Sequence, residues 1–261
     1  MKNNDTISKT LLVAVSLCLF CSAVISFTAV NLKDIQEANV RLDQQKKILA
    51  SANLLDDEKS IEELFLNIES KIIDLRTGKY DSSIDLSSFK ESDFARDENT
   101  SIILSSEQDI ATIKRRENYQ KVYLHYKDGA ISAVILPVRG YGLWGTLYGF
   151  LALESDFKTI VGLEFYQHKE TPGLGGEVDN PRWKALWKGK KISSETGEIL
   201  ISVIKGSVNK DSPQAKYQVD GLSGATITGN GVSNLLNFWL SDLGYGPYIN
   251  EMLTKRVSSD V

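Results

Sequence analysis

The sequence is poor in the residues that metal and nucleophilic enzymes use. Its 261 residues include two cysteines and two histidines. That supply argues against a structural zinc site or a Cys-ligated iron–sulfur cluster made by this chain alone. A nucleic-acid binder would carry a basic stripe, whereas the net charge here is −4. The esterase elbow G-x-S-x-G is absent: around Ser223 the order is Leu222-Ser223-Gly224-Ala225-Thr226. With only His125 and His168 to serve as a histidine base, serine-hydrolase chemistry is disfavoured.

Charge is also missing from residues 10–31, "TLLVAVSLCLFCSAVISFTAVN". As a helix these residues span roughly 33 Å, enough to cross a hydrocarbon core of about 30 Å. A cleaved signal peptide would have a shorter apolar core, and the small-x-small match at "CSA" is weak. The expectation is a retained single-pass anchor behind a tail of residues 1–9. Cys18 and Cys21 both fall in this stretch. Their C-x-x-C spacing invites a redox assignment, but small apolar packing in a membrane helix is the plainer one. Flanking charges are Lys2 and Lys9 before the span and Lys33, Arg41, Lys46 and Lys47 after it, with Asp34, Glu37 and Asp43 interspersed. A bare positive-inside count would place the C-terminal side in the cytoplasm.

What remains is ordinary in composition, with 42% apolar and 25% charged residues, and suits a globular domain. Residues 33–50 read as a polar helix. Ser60 and Glu63 have capping-box spacing. Ile61, Leu64, Phe65, Ile68 and Ile72 follow helical periodicity. Residues 32–117 are therefore expected to form a helical entry region, with an irregular polar part over 76–100. From residue 118 the pattern becomes one of strands. "QKVYLHYKDGAISAVILPV" centres a hairpin on Asp128-Gly129. "TLYGFLALESD" and "KTIVGLEFYQHKE" read as two more strands, and "GEILISVIKG" as a fifth ending at Lys205. A helix is expected over 231–243, with Val232, Leu235, Leu236, Trp239, Leu240 and Leu243 on one face and Gly244 as its stop. The expected class is α+β: a largely antiparallel sheet with flanking helices, residues 118–261 forming the main domain.

Two glycine-rich stretches stand out. "HKETPGLGGEV" (168–178) follows a strand, and Pro172-Gly173 suits the centre of a type II turn. It lacks the G-K-[ST] ending of a Walker loop. "RGYGLWGTLYGF" (139–150) interleaves four glycines with Tyr141, Trp144 and Tyr148, either as a wall for a planar group or as packing at a strand entry. The third stretch, "DGLSGATITGNG" (220–231), leads into a helix N-terminus, where free N–H groups and the dipole favour a phosphate. A threonine there could hydrogen-bond a phosphate or be esterified to one; a tight turn and helix cap is the alternative.

Asp220-Gly221-Leu222-Ser223-Gly224-Ala225-Thr226 resembles the D-x-x-[ST]-G-A-T flavinylation motif of the FMN-binding domain family. "HKETPGLGGEV" is similar to that family's E-T-P-G-L-G loop. "RGYGLWGTLYGFLALESD", "DNPRWKALWKGKK", "NLLNFWLSDLGYGPYI" and the single anchor resemble the C subunits of sodium-translocating NADH:quinone reductases. One departure is Gly229, where the pattern has Ser. The resemblance implies that Thr226 carries FMN through a phosphoester, with Thr228 as runner-up. Ser223, Gly224 and Ala225 would shape the acceptor loop, and Asp220 would help position the attachment reaction. Glu170, Thr171, Gly173, Leu174 and Gly175 would lie against the isoalloxazine ring, with Lys205 near the cofactor and Trp144 a weaker ring contact. The implied role is electron relay within a membrane complex that oxidises NADH, reduces ubiquinone and exports sodium, after maturation by a flavin transferase. The soluble domain would face the periplasm, opposite to the bare charge count. The rival assignments are the G subunit of an Rnf-type ferredoxin:NAD complex, a flavin-free scaffold protein, and a stand-alone FMN enzyme acting on a small substrate.

Overall fold

A computed structural model describes residues 6–259; residues 1–5, with Lys2, and the last two residues lie outside it. The chain divides into two compact units, Met1–Gln44 and Gln45–Val261. Helix α1 (Ile7–Ser51) begins in the first unit and ends in the second. It is the one helix among the described residues long and apolar enough to cross a membrane. Its apolar side chains from Leu11 to Val30 are exposed, as a lipid-facing surface requires. Cys18 and Cys21 are free and exposed on it.

The second unit is built on one antiparallel sheet in the order β2-β1-β5-β6-β7-β8. Its strands are β1 (Ile68–Asp74), β2 (Lys79–Tyr80), β5 (Tyr119–Lys127), β6 (Ala130–Tyr141), β7 (Thr146–Glu154) and β8 (Ile160–Gln167). Two-stranded pairs lie outside it: β3 (Ser101–Ile103) with β4 (Arg115–Glu117), and β9 (Ser202–Val203) with β10 (Gln218–Val219). Short helices α2 (Ile61–Phe65), α3 (Glu91–Arg96) and α4 (Pro181–Lys184) fill the connections. Helices α5 (Thr226–Leu240) and α6 (Gly246–Ser259) close the chain.

The sheet is covered on both faces, so its strands carry near-continuous apolar runs instead of strict alternation. On one face Ile73, Val122, Leu124, Val134, Leu136 and Leu151 pack with Val232, Leu235, Leu236 and Trp239 of α5. On the other, Ile48, Leu49 and Ala52, at the end of α1 and just beyond, pack with Ile68, Ile135, Phe150 and Ala152. The hairpin forms as expected: Asp128 and Gly129 take φ of 53° and 80°, the left-handed pair that a tight primed turn needs. The capping box at Ser60 and Glu63 is also present.

Three expectations are corrected. Residues 32–117 are not a helical entry region, because β1 lies inside the main sheet and pairs with β5 from Ile68–His125 to Asp74–Tyr119. The spacing of Ile61, Leu64, Phe65, Ile68 and Ile72 satisfies a helix, but the helix stops at Phe65. From Ile68 onward the β-branched residues are buried in a two-faced sheet, with Ile72 2% and Ile73 0% exposed, the setting that favours strand. "GEILISVIKG" keeps only Ser202–Val203 as strand, and these pair in parallel with β10 instead of joining the sheet. The Val203 N–H is drawn to Ser233 Oγ of α5 at 2.8 Å. Finally, the helix expected over 231–243 runs over Thr226–Leu240, and a further helix, α6, follows it. Gly229 and Gly231 sit inside α5 and do not break it. A Cβ on Gly231 would stand 2.5 Å from Tyr141 O, so the glycine permits close approach of α5 to the end of β6.

Candidate functional site

Helix α5 starts at Thr226 with Ala225 as N-cap, and no side chain caps it. The first helical hydrogen bond is Gly229 N–H to Ala225 O, at 3.1 Å. The N–H groups of Thr226, Ile227 and Thr228 precede it and have no acceptor within the helix. The Thr226 side chain is exposed at this end. Gly224, two residues earlier, has φ +69°, which turns the chain into the helix.

A cleft of about 470 Å³ opens here. Of the residues expected at the site, Lys205, Asp220, Ser223, Gly224 and Thr226 line it. Ser207 and Asn230 line it as well and carry no signal in the local sequence pattern. Asn230 would have followed from starting the helix at Thr226, because it lies one turn further along. Ala225 is 5% exposed and faces the core. Asp220 does not offer both carboxylate oxygens to the cleft: Oδ1 accepts the Val208 N–H at 2.8 Å, and its backbone oxygen accepts Trp183 Nε1 at 2.9 Å. Its visible work is to hold the segment that carries Lys205 and Ser207 against α4.

Glu170 and Gly175 stand behind the helix end instead of in the cleft. Glu170, 5% exposed, accepts the Leu143 and Trp144 N–H groups through Oε1, each at 3.0 Å. Its Oε2 accepts the Thr228 hydroxyl at 2.6 Å. One carboxylate thus ties together the β6–β7 loop, the 168–178 loop and the start of α5. Thr228 is fully buried and its hydroxyl is spent on Glu170. A Cβ on Gly175 would strike both the Thr228 hydroxyl and the Glu170 carboxylate at 2.6 Å.

The 171–174 stretch forms the expected turn. Leu174 N–H bonds Thr171 O at 3.1 Å and Gly173 has φ +77°, the pattern of type II with Pro at the second position. His168 pins this loop from its other end. It accepts the Glu170 N–H at Nδ1 and meets Asp179 through Nε2 at 2.8 Å, so Nε2 carries the proton. Leu174 approaches the turn before α5, with Cδ2 3.0 Å from a Cβ built on Gly224. Leu143, Trp144, Leu174 and Ile227 remain exposed, Trp144 at 63%. Three segments tied by Glu170 therefore present apolar side chains beside an uncapped helix end. Among the described residues no group of three or more His, Cys, Asp or Glu is placed to hold a metal.

This arrangement has known counterparts. The FMN-binding domain family matches residues 142–241. The C subunit of the Na(+)-translocating NADH-quinone reductase of Pseudomonas aeruginosa is 48% identical over 253 residues, covering 95% of this chain and 97% of its own. The chain belongs to the NqrC family, the C subunits of Na(+)-translocating NADH-quinone reductases. The Yersinia pestis member is 45% identical over 96% of this chain and 95% of its own length. The crystal structure of Shewanella oneidensis NqrC matches with a TM-score of 0.76 at 35% identity, covering 83% of this chain and 99% of that one. Membership of the NqrC family agrees with the antiparallel sheet and flanking helices found here.

Within this NqrC fold the Glu170 clasp makes a prediction. Burial pushes the Glu170 carboxyl up, but the hydrogen bonds from Thr228, Trp144, Leu143 and Gly145 outweigh it, and the net shift is below the usual 4.5. A folded value below the unfolded one contributes stability that is present above about pH 4.5 and lost as pH falls through the lowered value. Glu170→Ala removes that dependence and leaves the buried Thr228 hydroxyl unpaired, at a cost on the order of 1–3 kcal/mol. The check is a denaturant midpoint at pH 7 and at pH 4. The variant's deficit should be larger at pH 7, and an equal deficit at both would refute the clasp.

Proposed function

We propose that the chain carries FMN esterified to the Thr226 hydroxyl and relays electrons as a subunit of a membrane NADH:quinone reductase that exports sodium. The observation that carries this is an exposed threonine at an uncapped helix N-terminus, inside a cleft that Lys205 also lines. The residues present fit the group. The free N–H groups and the dipole of α5 suit a phosphate, and Lys205 adds a cation at the same cleft. Ser223, Gly224 and Ala225 shape the turn that brings Thr226 to the surface. Thr171, Gly173, Leu174 and Gly175 form the loop beside it, and the exposed side chains of Leu174 and Trp144 offer apolar surface for the ring. Asp220 positions the wall opposite. Thr228, buried and bonded to Glu170, is the poorer acceptor.

The flavin supplies the electron chemistry; the protein supplies position and electrostatics. A covalent bond replaces a binding equilibrium by a permanent local concentration, which suits a cofactor held where free FMN is scarce. No acid or base is needed for electron transfer alone. The maturation partner is a flavin transferase, and the working partners are the complex's other subunits; residues 10–31 anchor the chain in membrane lipid. The relatives carry the name of the NADH-quinone reductase C subunit, which favours this assignment over the Rnf-type G subunit or a flavin-free scaffold. The test is whether flavin survives denaturation of the purified chain and maps, by peptide mass, to the segment containing Thr226.

The soluble unit is assigned to the periplasmic side of the inner membrane, where the transferase acts, against the weak flanking-charge count. A C-terminal fusion to a reporter active only outside the cytoplasm is expected to be active. An inactive fusion, with the protein produced, would reverse the orientation.

A further inference from the structure

A second cleft, of about 640 Å³, adjoins the first. Ser207 and Asp220 belong to the walls of both. Four lysines line it, Lys188, Lys190, Lys210 and Lys216, and Lys205 stands in the neighbouring cleft. None of the five makes an ion pair with a carboxylate among the described residues. Lys190 donates to Ala215 O at 2.7 Å and Lys216 lies over the Tyr217 ring at 5.0 Å. The Lys188, Lys205 and Lys210 side chains are exposed. The one acid in the lining is Asp220, with one oxygen already bonded to Val208 N–H. A chain with net charge −4 thus gathers uncompensated positive charge at one place, beside the attachment threonine.

We propose that this lysine cleft is the docking surface for an acidic face of the protein that exchanges electrons with the Thr226 flavin. The inference rests on the electron-relay assignment above. Uncompensated like charges repel one another and persist at a net cost unless something of opposite sign meets them. The residue type points to a protein face instead of a small phosphate ligand. Tight phosphate sites use arginine forks or converging N–H groups, and no arginine lines this cleft. Lysines are hydrated point charges on flexible stems, suited to steering an encounter and setting its orientation. A partner held there would lie across the walls shared with the flavin cleft, which places its own redox group toward Thr226.

The test uses the purified whole complex in neutral detergent, with Lys188→Glu and Lys210→Glu combined and a Lys188→Arg, Lys210→Arg control. Neither lysine lines the attachment cleft. NADH-driven quinone reduction by the Glu variant is expected to fall roughly tenfold or more at low salt, and the gap should narrow as salt screens the charges. The Arg control should keep the parental rate, and covalent flavin per chain should be unchanged in all. Equal rates for the Glu variant and the parent at every salt concentration would overturn the proposal. Loss of covalent flavin in the Glu variant would assign the lysines to maturation and also overturn it. So would a defect seen only when anionic lipid is added, which would assign them to the membrane surface. A parental chain without covalent flavin would instead sink the underlying electron-relay assignment, and the docking proposal with it.

Discussion

Thr226→Ala is expected to yield a folded, full-length chain with no covalent flavin. On a denaturing gel under ultraviolet light, the parental chain matured with a flavin transferase should fluoresce and the variant should be dark. The loss cannot be charged to misfolding. Thr226 is exposed at the first position of α5, and its hydroxyl makes no hydrogen bond among the described residues. Alanine is the better helix former by up to about 0.7 kcal/mol, so stability should hold or rise slightly. Thr228→Ala is the informative counterpart. It deletes a buried hydroxyl bonded to Glu170 at 2.6 Å and should lower stability by about 1 kcal/mol while the band stays fluorescent. A fluorescent Thr226→Ala band would sink the attachment assignment. A dark Thr228→Ala band from folded protein would move the site by two residues.

The proposed attachment segment stands out in the sequence because its signals are local. A glycine-rich turn and two threonines fall within residues 224–228 ahead of a helix, and helix ends attract anions wherever they occur; the helix start itself was expected at 231 and lies at Thr226. The type II turn at Pro172-Gly173 and the hairpin at Asp128-Gly129 were readable for the same reason, since each depends on φ at one or two residues. Other features depend on distant partners. Ile68 and Ile72 satisfy a helical spacing and a strand equally well in a short run, and pairing with β5, some fifty residues away, decides between them. Gly229 and Gly231 resemble helix breakers until the Tyr141 backbone is placed 2.5 Å from where a Cβ on Gly231 would stand. The Glu170–Thr228 bond joins residues 58 apart, and the second cleft brings Lys188 and Lys190 of one connection against Lys210 and Lys216 of another, between β9 and β10. Neither arrangement leaves a trace in local spacing.

Arg139→Ala is expected to cause the largest loss of stability, about 3–5 kcal/mol, the usual result of removing one partner from a buried ion pair. The Arg139 side chain is 12% exposed and meets the Glu117 carboxylate, itself 0% exposed, at 2.5 Å. It also bonds Glu91 of α3 at 2.5 Å and the Arg115 backbone oxygen at 3.2 Å. One guanidinium therefore joins β6 to β4 and α3. Its own backbone oxygen accepts Trp239 Nε1 of α5 at 2.7 Å, and two residues further along, β6 ends at Tyr141, whose backbone abuts Gly231. Truncation removes the salt-bridge partner of the buried Glu117 and the support of the strand that leads into the proposed attachment site. Burial first, then the Glu117 carboxylate, push Glu91 upward against the pull of Arg139. A folded value raised above 4.5 means that this group favours folding below that pH, a benefit lost as pH rises through the raised value. Without Arg139 only the Gln120 hydrogen bond opposes the upward push, so the variant's deficit should be greatest near pH 8 and shrink toward pH 5. Thermal or denaturant midpoints across that range provide the check. A deficit that is small, or that grows on acidification, would show that Glu117 finds another partner and that Arg139 is not the keystone of this cluster.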